Sequence, residues 1–301
     1  MKLVSYRTPQ AFAGEPGRVD NLGIAAGDRL VAVSSLGAGL PTTMAAFLSG
    51  LPGSQVDLER AWQAAGGIAA ADAGIPFDQV EMLAPVPRPG KIVAAGVNYQ
   101  AHASEGGREA PDHPVLFAKL TTSVVANGGE IRWDPRLTQA VDFEAELAAI
   151  IGRTCRRVDE ADALDYVGGY TCLNDVTARD LQFSDRQFVR AKSLDTFCPM
   201  GPWLVTPDEI GDPQSLRIRC LVNEEVMQDS STAEMVFGVA QLISFCSQAF
   251  TLEPGDVIAT GTPSGVGWFR DPKRLLAEGD EVVVEIERVG RLVNTCREES
   301  G

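Results

Sequence analysis

The chain has 301 residues, 45% hydrophobic and 22% charged, an ordinary globular composition with enough length for one large domain or one domain with a small companion. Its 41 acidic residues outnumber 26 basic ones and give a net charge of -15; a surface this negative repels nucleic acid and anionic membrane, so neither is expected as a partner. Six cysteines without a Cys-x-x-Cys pair read as buried free thiols in a reducing cytoplasm, and with no apolar leader or membrane-length run the expectation is a soluble cytoplasmic protein.

Residues 1 to 84 read as a small unit. Strand-like pieces over Lys2 to Tyr6, Leu22 to Ala26 and Arg29 to Val33 precede helical stretches near Thr42 to Leu48 and Leu58 to Ala65. The run Ala84-Pro85-Val86-Pro87-Arg88-Pro89-Gly90 resists both helix and central strand, which puts the boundary of a second domain, 85 to 301, at that point.

Past it, Lys91 to Val97 reads as a buried strand running into Asn98-Tyr99-Gln100-Ala101-His102-Ala103-Ser104-Glu105-Gly106-Gly107. On a helical turn His102 and Glu105 share a face at i, i+3, so the carboxylate supports the imidazole as a general base near neutral pH. The two glycines that follow allow the segment to move as a lid. The other histidine, His113, sits in a loop context, and Pro114 to Lys119 is a strand whose terminal lysine reads as a surface residue with its stem laid along apolar neighbours.

The stretch Val141-Asp142-Phe143-Glu144-Ala145-Glu146-Leu147-Ala148-Ala149-Ile150-Ile151 alternates acidic and apolar residues before becoming wholly apolar. Read as one strand, it projects Asp142, Glu144 and Glu146 to one side and continues into a core. Carboxylates a pleat apart repel unless a cation lies between them, and a hard divalent ion is the usual solution. A further oxygen ligand comes from Asp175, delivered at the end of a second strand, Gly168 to Asp175.

Val176 to Gln182 reads as a short helical piece that carries Gln182 back over the acids. Arg190 to Trp203 reads as a folded-in loop holding Lys192, a lysine that needs an anionic partner. Leu216 to Val222 and Glu225 to Gln228 form a hairpin turning at Asn223-Glu224. Ser231-Thr232-Ala233-Glu234 is a capping box opening a helix with Met235, Val239, Leu242, Cys246 and Ala249 at helical spacing. The glycine-rich run Thr260 to Gly267 lacks a Gly-Lys-Ser/Thr ending, so it is no nucleotide loop, but its N–H groups and the Thr262 hydroxyl suit a carboxylate. Asp280 to Glu287 and Arg291 to Thr295 close the chain as a hairpin.

Taken together, Asn98-Tyr99-x-x-His102-x-x-Glu105, Asp142-Phe143-Glu144-x-Glu146, Asn174-Asp175-x-x-x-Arg179-Asp180-x-Gln182, Lys192-Ser193-x-Asp195-Thr196-Phe197 and Thr260-Gly261-Thr262-Pro263-x-Gly265 resemble the fumarylacetoacetate hydrolase family over roughly residues 90 to 297. The resemblance implies an α+β, mainly β fold, a layered mixed β-sheet roll with a small N-terminal α+β domain, usually dimeric, with Mg²⁺ or Mn²⁺ as the ion. It implies Glu144, Glu146 and Asp175 as metal ligands and His102 with Glu105 as a lid dyad. Lys192, Gln182 and Thr262 would contact substrate, with Tyr99 and Lys119 beside them. Two departures stand out. Leu120 follows Lys119 where a proline is common, and Asn223-Glu224 replaces the more usual Asn-Gly.

The activity implied is hydrolysis of an acylpyruvate, a 2,4-diketo acid. The 2-oxo acid end chelates the metal, a water activated by His102 attacks the distal ketone, and pyruvate leaves as its enolate, with charge offset by the metal and Lys192. Decarboxylation of oxaloacetate and isomerisation of a 2-hydroxydienoate are the alternatives on the same parts. An inactive metal-binding relative is the least favoured, because dyad and triad are both intact.

Overall fold

The computed structural model describes residues 1–8 and 20–299. In chain order the elements are β1 Lys2–Arg7, β2 Asn21–Ala26, β3 Arg29–Ala32, α1 Met44–Ser49, α2 Gly53–Ala64, β4 Ile75–Pro76, β5 Glu81–Met82, β6 Ile92–Gly96, α3 Gln100–Glu105, β7 Val115–Lys119, β8 Val124–Val125 and β9 Glu130–Trp133. They continue with β10 Val141–Asp142, β11 Ala145–Ile151, β12 Val167–Asn174, β13 Thr177–Ala178, α4 Arg179–Asp185, α5 Phe188–Lys192, β14 Cys198–Val205 and α6 Pro207–Ile210. The last are β15 Arg217–Val222, β16 Glu225–Ser231, α7 Val239–Ala249, β17 Val257–Ala259, β18 Glu281–Ile286 and β19 Gly290–Glu298.

The apolar run of β11 sets the architecture. Successive side chains point to opposite faces; Leu147, Ala149 and Ile151 enter one core while Ala148 and Ile150 enter another, and all five are fully buried. A strand buried on both faces has to sit in the middle of a sheet with a layer on either side. β11 lies between β12 and β17 in a mixed 12-stranded sheet ordered β4-β3-β2-β1-β14-β12-β11-β17-β6-β7, with β5 on β1 and β8 on β14. On one face the five-stranded sheet β16-β15-β18-β19-β9 and α7 supply Ile218, Cys220, Val284, Leu292 and Leu242 to the core. On the other, α1 and α2 bring Phe47, Leu48 and Leu58 against Ile150, Leu173 and Leu204. Each such side chain contributes about 1.5–3 kcal/mol by leaving water.

The sheet runs unbroken across the boundary expected at the proline-rich segment. β1 pairs antiparallel with β14, Leu3 opposite Leu204, and the α1–α2 layer shares its core with β11 and β12. All six cysteines are buried and free, as their scatter suggested. No helix among the described residues is long and apolar enough to cross a membrane.

Three local expectations are corrected. The stretch 141 to 151 is not one strand. It breaks at Phe143 and Glu144, and the Asp142 carboxylate turns away to accept hydrogen bonds from the Phe143, Gly267 and Trp268 backbone N–H groups. Asp142 therefore does not stand in line with Glu144 and Glu146. The capping box at Ser231 opens only a single 3-10 turn, Thr232–Glu234. Beyond it the Val236 and Phe237 N–H groups donate to Asn98 O and Oδ1, and the chain bends there without forming helix until α7 starts at Val239. Lys192 ends α5 rather than lying in a loop. The two hairpins form where expected, and Asn223 and Glu224 both take left-handed φ, 50° and 69°, as a tight two-residue turn requires.

Candidate metal centre and active site

The site forms where β11 and β12 hand their ends to loops. Their register places Ala145 opposite Asn174, and two further bonds fix the residues just outside it: Asp175 N–H donates to Glu144 O at 2.9 Å and Glu144 N–H to Asn174 Oδ1 at 2.9 Å. As a result, the carboxylates of Glu144, Glu146 and Asp175, all buried, lie with one oxygen each within 4.8 Å of the others. Glu146 projects from the second position of β11, which brings its Oε2 under the Gly261 N–H at 2.8 Å.

Cations surround two of these three acids. Lys192 Nζ donates to Glu144 Oε2 at 2.9 Å and to Asp175 Oδ2 at 2.6 Å. Lys119 Nζ donates to Asp175 Oδ1 at 2.5 Å and to the Lys192 carbonyl. Arg179 contacts Asp142 Oδ2 at 2.8 Å and Glu144 Oε1 at 2.8 Å. Glu144 is accordingly held down to about 2: burial alone would raise it, but the Lys192 ammonium and Arg179 guanidinium outweigh that cost. Glu146 goes the other way. Burial, then the charges of Asp175 and Glu144, push its carboxyl well above the ordinary range.

These residues fit a divalent ion. An all-carboxylate donor set suits Mg²⁺ or Mn²⁺. Four buried carboxylates, Asp142, Glu144, Glu146 and Asp175, face three buried cations, Lys119, Arg179 and Lys192. The shortfall falls on Glu146, whose carboxylate accepts from the neutral Gly261 N–H.

A cavity of about 390 Å³ opens over this cluster, at the small end for small-molecule sites. His102, Glu144, Gln182, Lys192 and Thr262 all line it, so these five expected site residues share one chamber. Glu146 and Asp175 lie buried in the cluster of charges that Glu144 and Lys192 complete. Glu105 reaches the chamber through His102: its Oε2 is 3.2 Å from His102 Nδ1, and its Oε1 accepts from Gly265 N–H at 2.9 Å. Gln182 Oε1 accepts from Arg179, leaving its amide N–H₂ to donate. Thr262 Oγ1 accepts from Gln228 Nε2 at 2.8 Å, which leaves the hydroxyl hydrogen to donate.

Two expected contacts are not on the cavity wall. Lys119 is neither a surface lysine nor a wall residue; it is 2% exposed and committed to Asp175. Tyr99 is 1% exposed, with its hydroxyl buried without a hydrogen-bond partner. Burial and the nearby Glu146 raise that phenol. Conversely, Arg179, Phe117, Phe188 and Phe269 belong to the wall; Arg179 enters the sequence reading only as a motif residue without a role, and the three phenylalanines carry none there. Arg179 had a signal, an arginine four residues after Asp175 at the start of a short helix. Phe269 had none, because only the fold brings it against the edge of the His102 ring, 6.1 Å between centroids. Val97 also lines the chamber with φ 57°, a costly conformation for a β-branched residue and a mark of strain at the cavity wall.

The fumarylacetoacetate (FAA) hydrolase C-terminal family matches residues 91–297. Oxaloacetate tautomerase Fahd2a, mitochondrial, of Rattus norvegicus is 41% identical over 295 residues, covering 98% of this chain and 91% of the rat protein. Oxaloacetate tautomerase YisK of Bacillus subtilis (strain 168) is 44% identical over 221 residues, 72% of this chain and 73% of that protein. Among solved structures, maleylpyruvate hydrolase from Sphingobium sp. SYK-6 in complex with manganese(II) and pyruvate superposes with a TM-score of 0.78 at 31% identity, over all of both chains.

Proposed function

The chain belongs to the fumarylacetoacetate hydrolase family, and from that premise we propose that it is a divalent-metal-dependent enzyme that interconverts the enol and keto forms of oxaloacetate. The observation that carries this reading is that the His102–Glu105 pair and the Lys192–Glu144 pair face the same small chamber. Relatives named oxaloacetate tautomerases support the substrate, the rat protein over 98% of this chain and the Bacillus subtilis protein over 72%.

Glu144, Glu146 and Asp175 would hold Mg²⁺ or Mn²⁺, which when bound supplies Lewis-acid polarisation of a 2-oxo acid. In the enol-to-keto direction the O2–H bond breaks and a C3–H bond forms. His102, supported at Nδ1 by the Glu105 carboxylate, moves the proton at Nε2. The Lys192 ammonium, kept charged by Asp175 and Glu144, offsets the negative charge that gathers on O2 between the two proton transfers. Gln182 and Thr262 donate to the substrate carboxylate and fix its orientation.

A second reading is hydrolysis of an acylpyruvate. It is favoured by the similarity to the Sphingobium maleylpyruvate hydrolase and by the same dyad, which is as suited to activating a water as to carrying a proton to carbon. Decarboxylation of oxaloacetate and isomerisation of a 2-hydroxydienoate use the same parts. Solid enol-oxaloacetate diluted into the Mn²⁺-loaded protein separates these readings when the enol absorbance, pyruvate and CO₂ are followed together, beside a panel of acylpyruvates. Enol decay above the Mn²⁺ buffer rate without pyruvate supports tautomerisation. Decay at the buffer rate with cleavage of an acylpyruvate would replace it with the hydrolase reading.

The proposal extends to assembly as a homodimer. Leu120, Leu137 and Val189 are exposed large apolar side chains around one shallow groove beside the site, and a second copy covering them would remove that apolar surface from water. Light scattering on the eluting protein tests it: a monomer mass would reject the dimer.

A further inference from the structure

In a protein of net charge -15, the cavity wall is cationic. It carries Arg108, Arg179, Arg186 and Lys192; Arg179 and Lys192 are committed to the buried carboxylates of Asp142, Glu144 and Asp175, which leaves Arg108 and Arg186 as the cations not already spent. Arg179 Nη2 is buried with no hydrogen-bond partner, so the wall has a guanidinium N–H to spare. Arg108 and Arg186 stand exposed at the mouth, and among the described residues neither side chain makes an ion pair or hydrogen bond. That differs from the exposed arginines 132, 136, 190 and 217, each of which is paired with an acidic neighbour.

Of the arginines on the cavity wall, Arg186 alone has a left-handed backbone, a conformation that Arg157 and Arg288 share away from the cavity. It caps the C-terminus of α4 in the left-handed region, φ 59° and ψ -1°, where glycine is the unstrained choice. A non-glycine residue there costs about 1–2 kcal/mol, and what the chain gains at this position is a guanidinium on the cavity wall. Arg108 follows α3, tied by its own N–H to Ala103 O at 2.8 Å. The two cations thus come from separate elements, one of which carries His102.

We propose that Arg186 and Arg108 recognise the distal carboxylate of the substrate, so that the site selects dicarboxylic over monocarboxylic 2-oxo acids. This rests on the reading above, in which the 2-oxo acid end of the substrate is seated at the acidic triad. Planar guanidiniums suit a carboxylate bidentately. The unpaired state of both side chains leaves them free to bind, with no internal salt bridge to break first.

The test uses two stable 2-hydroxy acids that differ only at the distal group, racemic malate and racemic 2-hydroxybutyrate, whose methyl replaces the carboxylate. Their binding to the Mn²⁺-loaded protein is measured by calorimetry, with no turnover involved. Wild type is expected to prefer malate. Arg186→Gly, which also relieves the left-handed strain, and Arg108→Gln are each expected to weaken malate roughly 10- to 100-fold. Both should leave 2-hydroxybutyrate within about 3-fold, and Arg186→Lys should fall between. Thermal melts confirm that the variants fold. Equal weakening of both acids, or no weakening of malate in either variant, would overturn the proposal. Retained malate discrimination in a protein that fails to accelerate enol decay would overturn the tautomerase reading and leave the recognition site standing.

Discussion

Asp142→Asn is the substitution whose cost the structure fixes most closely. The Asp142 carboxylate is fully buried and accepts four hydrogen bonds. Phe143 N–H at 2.9 Å and Gly267 N–H at 2.8 Å reach Oδ1; Trp268 N–H at 3.0 Å and Arg179 Nε at 2.8 Å reach Oδ2. All four partners are donors, so an amide in either orientation sets an N–H₂ group against two of them. A buried donor left without its acceptor costs about 1–3 kcal/mol. Arg179 also loses one of its two carboxylate partners and keeps Glu144. The sum is a destabilisation of about 3–5 kcal/mol. Gly267 cannot follow by moving inward, because even a Cβ there would stand 2.0 Å from Arg274 O. Urea unfolding gives the stability difference, and hydrogen exchange at the Gly267 and Trp268 amides reads the local effect, since both should lose protection. A change under about 1 kcal/mol with both amides still protected would refute the claim that Asp142 pins the 267–269 segment.

The metal response should depend on pH in a definite direction. Glu146 sits above its unfolded value, so the metal-free protein is stabilised by the proton on Glu146 at low pH and loses that contribution as pH rises from the ordinary carboxylate range toward the raised value. A cation that needs the ionised form competes with that proton, so the gain in melting temperature on adding Mn²⁺ should grow from about pH 5 to pH 7.5. In Glu146→Gln that slope should flatten; an unchanged slope would remove Glu146 from the ligand set. His102→Ala and Glu105→Gln are each expected to lower kcat by about 100-fold or more with little change in KM. Full activity in both would refute the dyad's role. Lys192→Met leaves Glu144 and Asp175 each short of one cation contact and should destabilise the metal-free protein by about 3–5 kcal/mol, measured by urea unfolding. Added Mn²⁺ should recover part of that loss.

Much of this candidate site is legible in the sequence because the relations between its residues are local. Glu144 and Glu146 are neighbours on one stretch, Asp175 directly follows the strand paired with it, and His102 and Glu105 are one helical turn apart. Each of those relations follows from strand or helix periodicity. Asp142 was misplaced for the same reason: periodicity says it shares a face with Glu144, whereas the break at Phe143 follows from backbone N–H groups more than a hundred residues away. Lys119 was read as a surface lysine because a strand's terminal residue usually is one. Only the packing of β7 on β6 and α5 brings its ammonium to Asp175. The start of α7 differs from the expectation because Asn98, distant in sequence, takes the N–H groups that a helix beginning at Ser231 would have used.

The buried charges explain why the metal-free site can fold at all. Three carboxylates this close would be costly to bury ionised, yet Lys119, Lys192 and Arg179 take up five of their oxygens together with those of Asp142. The cluster is left one positive charge short, at Glu146. Adding a divalent cation to a cluster of net -1 leaves it at +1, which the chelating carboxylate of a 2-oxo acid then neutralises. A second carboxylate on the substrate finds no compensation in the triad and needs its own cations, and the wall supplies them at Arg108 and Arg186. Charge balance therefore divides the chamber into an inner end that holds the 2-oxo acid and a mouth that selects what is attached to it.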